Sequence, residues 1–196
     1  MIKRLTSFFV LLSAISVGAA LSGCAPKADH IYANGVATGA LTKPVVNPST
    51  ILVWANEAVI TAYTYDFNNY QTQLQKASQY FTTEGWQTFM TALTASGNLT
   101  KVVEHKMVVS AVATGSPIVL SQGELAGRYS WKVQMPVLVT YLGANASNKQ
   151  NLIVTMLIVR TGTAEGTRGL GIKQFIATAQ PQAKTQFAAT GMSLNH

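Results

Sequence analysis

Cysteine and histidine are scarce in this 196-residue chain, which contains one cysteine and three histidines. A lone cysteine excludes a disulfide framework within one chain. His30, His105 and His196 lie far apart in sequence, so they form neither a Cys/His zinc module with Cys24 nor a catalytic triad with a serine. We therefore predict no catalytic residue, no metal site and no cofactor, and hence no enzyme.

Charged residues are also few, at 11% of the chain, although their balance is +7. Within residues 50–178, nine basic residues stand against six acidic ones, a net charge of only +3. The run RYSWK resembles a platform for single-stranded nucleic acid. On a strand, however, Arg128 and Lys132 point one way while Tyr129 and Trp131 point the other. We therefore expect no direct binding of nucleic acid.

The chain begins with a segment typical of export. Lys3 and Arg4 precede an apolar run over residues 5–21, which as a helix would be roughly 25 Å long and so short for a bilayer. The run ends in LSGC, which resembles the lipobox of bacterial lipoproteins. We predict a lipoprotein signal peptide over residues 1–23 and lipidation of Cys24. The alternative is a short membrane anchor followed by a buried free thiol.

The residue after the cysteine is Ala25 rather than the aspartate of inner-membrane retention signals, so we expect an outer-membrane address. Residues 24–49 are rich in Ala, Gly, Thr, Asn and Pro, which predicts a flexible tether. Residues 50–178 form the predicted folded domain, and residues 179–196 a mobile tail.

Helical periodicity opens the predicted domain. One helix is predicted from Ile51 to about Gln79, and a second begins at a Thr82 or Thr83 cap and ends before Gly97. The expected core stripe of the first helix consists of Leu52, Val59, Tyr63, Phe67, Tyr70, Leu74 and Ala77.

Trp54 and Tyr65 fall nearly opposite that stripe, so both are predicted to face outward. Either a loop or the tether covers them, or they anchor a partner protein, as exposed aromatic residues commonly do. We nominate both as interface candidates. Asp66 lies at the edge of the stripe, where it could cap the second helix or act as a base in a cavity.

From Lys101 onward the apolar period changes to two, which predicts four or five antiparallel strands. In the clearest strand, residues 128–142, the odd positions are apolar and Pro136 implies a bulge or an edge. The predicted fold is α+β, with two N-terminal helices covering one face of the sheet. The other face is partly apolar too, which indicates a partner or a dimer.

Four blocks of residues carry a family resemblance: WANEAVITAYTYDFNNYQTQL (54–74), SQYFTTEGWQTFMTALTASGNL (78–99), GRYSWKVQMPVLVTY (127–141) and VTMLIVRT (154–161). Together they resemble the IcmL/DotI family of type IVB secretion systems, which is related to the TraM proteins of conjugation. The resemblance implies a periplasmic domain with a cystatin-like, nuclear-transport-factor-like fold and a non-enzymatic, oligomeric scaffold role. The usual family member has an uncleaved transmembrane helix where this chain has a lipoprotein signal.

The main hypothesis is a lipid-anchored scaffold or accessory subunit of a type IVB secretion or conjugation apparatus. Its expected partners are other envelope subunits, in a homo- or hetero-oligomer. The alternative is a small-ligand binder or isomerase-like enzyme that uses the pocket of the same fold, with Asp66 and a tyrosine. A third hypothesis is a stand-alone envelope lipoprotein with a repurposed domain.

Overall fold

The computed structural model describes residues 40–145, 147–162 and 164–180 in full, and the backbone of residues 32–33 and 36–37. The predicted signal peptide, Cys24 and nearly all of the predicted tail lie outside the described residues. None of the helices in the described part is long and apolar enough to span a membrane.

Helices precede most of the sheet in the order of elements. The helices are α1 (Pro48–Ala62), α2 (Tyr70–Ser78), α3 (Thr83–Ala95) and α4 (Asn98–Glu104). The strands are β1 (Tyr32–Ala33), β2 (Val36–Ala37), β3 (Tyr65–Asp66), β4 (Val108–Ala113), β5 (Ile118–Leu125), β6 (Arg128–Leu142), β7 (Ser147–Arg160) and β8 (Leu170–Ala179).

The main sheet of the described chain is antiparallel, in the order β3-β4-β6-β7-β8, and β5 pairs with the same edge of β6 as β4 does. Among the described residues, strands β1 and β2 pair with each other and with no further strand. The helices cover one face of the curled main sheet, which we call the helix face, and we call the opposite side the open face. The predicted α+β class is thus confirmed.

Helix α1 starts where the sequence provides a cap. The Asn47 side chain accepts a hydrogen bond from the backbone N–H of Thr50 at 2.8 Å, and Pro48 fills the first turn. The residues that α1 buries recur at helical spacing and pack on the helix face of the sheet. They are Ile51, Trp54, Ala55, Ala58, Val59 and Ala62.

The single long helix predicted over residues 51–79 is wrong, because the chain leaves the helix after Ala62 and forms β3 before α2 begins. Asp66 closes the turn between them: its Oδ1 accepts the backbone N–H of Asn68 at 2.8 Å and that of Asn69 at 3.1 Å. Asp66 therefore does not cap the helix that follows Thr82. No proline or glycine lies at this break, so the apolar spacing of the sequence still predicts a continuous helix across it.

Helix α3 begins as predicted, with the Thr82 side chain accepting the N–H of Gly85 at 3.1 Å. Gly97, at φ 67°, ends it, because few other residues tolerate that conformation. The strand predicted from Lys101 is wrong over its first residues, since these belong to α4 and bury Val102. His105 accordingly follows a helix and does not lie within a strand.

Strand β6 is central and has the predicted alternation, with the odd residues from Trp131 to Tyr141 buried on the helix face. Pro136 lies neither at a bulge nor at a free edge. It falls between the segment of β6 that pairs with β5, which ends at Gln134, and the segment that pairs with β4, which starts at Val137. The N–H that proline lacks is not needed there, since neither strand pairs with this position.

Residues 40–47, which we call the strap, belong to the domain rather than to a free tether. The carbonyl of Leu41 accepts the N–H of Tyr129 at 2.7 Å, and the carbonyl of Lys43 accepts a hydrogen bond from Arg160 Nη1 at 3.4 Å. Val45 is buried in the core. The folded part therefore starts about ten residues before the predicted boundary at residue 50.

Candidate protein interface

The two predicted interface residues are not on the surface: Trp54 is 0% exposed and Tyr65 is 1% exposed. Trp54 packs edge-on against Tyr80, with the ring centroids 5.5 Å apart. Tyr65 pairs with the buried Val109 in the sheet. The prediction that they face outward is wrong because most of the predicted apolar stripe lies after the end of α1. Its later residues belong to α2, a separate helix that buries a different face. Both side chains belong to the core.

Tyr65 lies in a buried tyrosine cluster with Tyr63 and Tyr141. Burial raises the pKa of all three hydroxyls, and for Tyr63 and Tyr65 the proximity of Tyr141 raises the pKa further. These hydroxyls therefore stay protonated at neutral pH and are poor bases. The carboxylate of Asp66 already holds a turn through Oδ1. The arrangement supplies no activated acid–base pair for the isomerase-like alternative.

The described residues contain no cluster of three or more His, Cys, Asp or Glu side chains that could hold a metal ion. A groove of about 410 Å³ lies where α3 begins, lined in part by Trp86 and Glu165. Glu165 accepts a hydrogen bond from the Thr83 hydroxyl at 3.1 Å and forms an ion pair with Arg128 at 3.7 Å. Its charge is thus already engaged within the chain.

The open face of the sheet is unusually apolar for a surface that no helix covers. Pairing places alternate residues of each strand on this face, so the strand register identifies its members. Besides Leu125 at the end of β5, five large apolar side chains of the described chain are about half exposed there, at 46% to 56%. They are Val108, Val112, Ile118, Leu142 and Ile176.

The five residues occupy three rows of the sheet, and the row of Thr140 and Lys149 separates Val108 and Leu142 from the other three. Val108 is directly opposite Leu142, and Val112 is opposite the half-buried Leu138. Half-buried Ile153 lies in the next row, opposite Pro136. Because contiguous apolar patches on soluble domains commonly mark interaction sites, we assign the open face as the candidate protein interface. The sequence predicted this apolar second face, whereas the individual residues depend on the strand register.

The comparisons with known proteins agree with this fold. A family model described as a type-IV b secretion system inner-membrane complex component, DotI/IcmL, matches residues 18–179. The solved structure of the periplasmic domain of DotI is 53% identical, with a TM-score of 0.66, over 68% of this chain and 96% of that one. The chain belongs to the DotI/IcmL family.

Two further structures extend this result. An IcmL-like type IV secretion system protein from Legionella pneumophila is 30% identical to this DotI/IcmL family member, with a TM-score of 0.65, over 70% of this chain and 96% of that one. A periplasmic fragment of TraM is 26% identical, with a TM-score of 0.63, over 68% of this chain and 98% of that one. The predicted family is therefore confirmed.

A more distant structure shows the shared fold alone. CagV from Helicobacter pylori, described as a VirB8 homologue, is 9% identical with a TM-score of 0.53, over 68% of this chain and 99% of that one. No curated protein sequence matches the chain significantly. The DotI/IcmL family model describes an inner-membrane complex, so the predicted outer-membrane lipid anchor has no support from the family.

Proposed function

We propose that this DotI/IcmL family member is a non-enzymatic scaffold subunit of a type IVB secretion or conjugation apparatus, acting through protein–protein contacts of its periplasmic domain. The observation that carries the proposal is the 53% identity to the periplasmic domain of DotI over nearly the whole folded part. The apolar open face supports it, because a scaffold needs a contact surface rather than a reactive centre.

The proposal includes a lipid anchor at Cys24 in place of a transmembrane helix. Its support is the order of signals in the sequence: Lys3 and Arg4, then the apolar run, then LSGC. A single acyl chain holds a protein only marginally, whereas several chains anchor it stably. Ala25 favours the outer membrane, from which the domain would meet envelope subunits of the apparatus.

The strap limits how far such an anchor lets the domain move. Because the chain is docked on the sheet from Leu41 onward, no more than residues 25–39 separate Cys24 from the strap, and the pairing of β1 with β2 shortens the reach of this segment further. Fifteen residues reach at most about 50 Å at roughly 3.4 Å per residue. The partner subunits of the scaffold would therefore lie within about that distance of the membrane plus the length of the domain.

The function is tested with a tagged full-length protein expressed in a deletion strain. After crosslinking in cells, we expect other envelope subunits of the apparatus to copurify with it, and substrate export to fall in the deletion strain. If the protein is isolated alone and export is intact without it, the scaffold proposal fails. An Asp66→Asn variant should support full export, and its failure to do so while folded would favour the ligand-binding alternative.

The anchor is tested separately. Radiolabelled palmitate should enter the wild-type protein but not a Cys24→Ala variant, and Ser22→Ala serves as a matched control that keeps the label. In membrane fractionation, Ala25→Asp should move the protein from the outer to the inner membrane. Labelling of Cys24→Ala, or an inner-membrane position of the wild type, would contradict the lipid anchor or its address, respectively.

A further inference from the structure

The open face has a defined apolar middle. Between the row of Lys132 and the row of Lys149 lie three rows of paired residues on β6 and β7. On β6 and β7 these rows include the polar Gln134, Thr155 and Asn151, of which the first two are hydrogen-bonded to each other at 3.1 Å, but every strand of the face also contributes apolar side chains. They include Val112, Ile118, Leu138, Ile153 and Ile176. A partner that covers the middle of this face must itself be apolar at its centre.

Two exposed lysines flank this middle. Lys132 lies on β6 opposite Leu157, and Lys149 lies on β7 opposite Thr140. The eight-residue interval from Lys132 to Thr140 along β6 places the backbones of the two lysine rows about 27 Å apart along the strands. In the described ranges, no carboxylate lies within 4 Å of either amino group.

Acidic residues are absent from most of the strands that form this surface. Strands β4, β6, β7 and β8 contain no Asp or Glu. Glu124 on β5 pairs with Tyr129 and so lies on the helix face. Asp66, on the edge strand β3, faces Val108 but its Oδ1 accepts two backbone N–H groups. Glu84 and Glu165 line a groove with Leu157 at the Lys132 end, but each already forms an ion pair with a basic residue of the chain. In the described chain, the strands of the face therefore contribute two unpaired lysines, and Asp66 is the one carboxylate that they place there.

We propose that the open face binds an amphipathic segment of another envelope subunit, apolar in its middle and acidic near both ends. The partner's class, an envelope subunit, rests on the proposed function, whereas its chemistry follows from the charge and apolarity of the face. Complementary charge fixes the position and orientation of a segment that the apolar contacts hold. A helix of about 18 residues spans the roughly 27 Å between the two lysine rows.

Two other occupants match the face less well. The chain's own residues 181–196 contain Lys184 and no Asp or Glu, so they lack the acidic ends. In a second copy, Glu57, Glu84 and Glu165 each form an ion pair with a basic residue of the same chain, and Asp66 closes a turn. Glu104 and Glu124 form no ion pair in the described residues, but they lie in different elements, α4 and β5. Neither supplies a free acid at both ends of an apolar stretch.

The test uses the full-length protein in detergent and fluorescein-labelled model helices of about 18 residues. One peptide has a leucine and alanine stripe with two glutamates at each end, and its matched peptide has lysines there instead. By fluorescence anisotropy we expect the acidic peptide to bind at least about tenfold more tightly than the basic one, and the preference to shrink as the salt concentration rises.

Charge-reversal variants test whether the peptides bind to the open face. Reversing both charges, Lys132→Glu with Lys149→Glu, should make the basic peptide the tighter binder. The control, Lys76→Glu with Lys101→Glu, changes the net charge equally on exposed residues of α2 and α4 and should preserve the preference for the acidic peptide. Val112→Asp should lower the affinity of the protein for both peptides. Equal affinity for the two peptides, or the same preference in both double variants, would overturn the proposal.

In cells, a photo-crosslinking amino acid at Ile176 distinguishes the occupants. A crosslink to an acidic segment of another envelope subunit, lost in the Lys132/Lys149 charge reversal, supports the proposal. A crosslink to a second copy or to the chain's own tail overturns it, and so does binding of anionic vesicles that the same charge reversal abolishes. These outcomes do not depend on export in the deletion strain, so a failed interface and a failed scaffold function remain distinguishable.

Discussion

Replacing Trp54 with alanine tests the position of the aromatic side chain in α1. A buried tryptophan removes about 150–250 Å² from water, worth about 4–6 kcal/mol at about 25 cal/mol per Å². Since Trp54 is 0% exposed and its neighbours recover only part of that cavity, we expect Trp54→Ala to lower the free energy of unfolding by about 3–5 kcal/mol. An outward-facing tryptophan would lose less than about 1 kcal/mol.

The measurement is urea unfolding followed by circular dichroism, with Trp54→Phe as the matched variant. The indole Nε1 of Trp54 has no hydrogen-bond partner among the described residues. Replacement by phenylalanine therefore removes buried apolar area but breaks no hydrogen bond. We expect a loss of about 1–2 kcal/mol for this variant, because it leaves a smaller cavity. A loss below about 1 kcal/mol in Trp54→Ala, with an unchanged dependence on urea, would refute the buried placement.

Three further outcomes follow from buried groups and close packing. Tyr65→Phe removes a buried hydroxyl that has no hydrogen-bond partner in the described part of the chain. The free energy of unfolding should therefore rise by up to about 1 kcal/mol. A decrease of that size in the free energy of unfolding, measured by urea denaturation, would contradict this. Burial raises the pKa of Tyr63, Tyr65 and Tyr141 above the ordinary value of about 10. The free energy of unfolding should therefore keep its full value below about pH 10 and should fall as the pH rises through the raised pKa values. Urea titrations from pH 8 to 11 should show this loss, and it should be smaller in Tyr65→Phe. In Gly85→Ala the new Cβ would overlap the carbonyl oxygen of Ile172, so calorimetry should show a loss of more than about 2 kcal/mol, although alanine favours helix by about 1 kcal/mol.

The strand half of the fold was predictable because its pattern is local. Strand β6 alternates over fifteen residues, so its bounds and its buried face follow from the sequence alone. The helical half of the fold was not predictable, because the apolar residues on either side of the break after Ala62 keep helical spacing by coincidence. Aligning one wheel on Tyr63 to Ala77 rotated the inferred core face of α1 by roughly a quarter turn, which placed Trp54 outside. At the break the chain forms β3, which pairs with β4 more than forty residues further along the sequence, and this pairing is a tertiary feature.

The candidate interface was predictable in outline only. The run over residues 152–159 of β7, apolar on both faces apart from Thr155, indicates a second apolar face, and the absence of acids from four strands is visible in the sequence once their bounds are known. The register of β6 with β7 is needed to place Lys132 and Lys149 on that face. Sequence periodicity does not supply this register, because it depends on loop lengths and on pairing between distant segments.

The strap determines where a mechanical load enters the domain. Tension on the chain upstream of residue 40 reaches the Leu41–Tyr129 and Lys43–Arg160 hydrogen bonds before it reaches α1. Tyr129 and Arg160 lie at the end of the β6–β7 ladder, the longest run of paired residues in the described sheet. A pull from that side is thus applied to the ends of β6 and β7 before it reaches the first turn of α1.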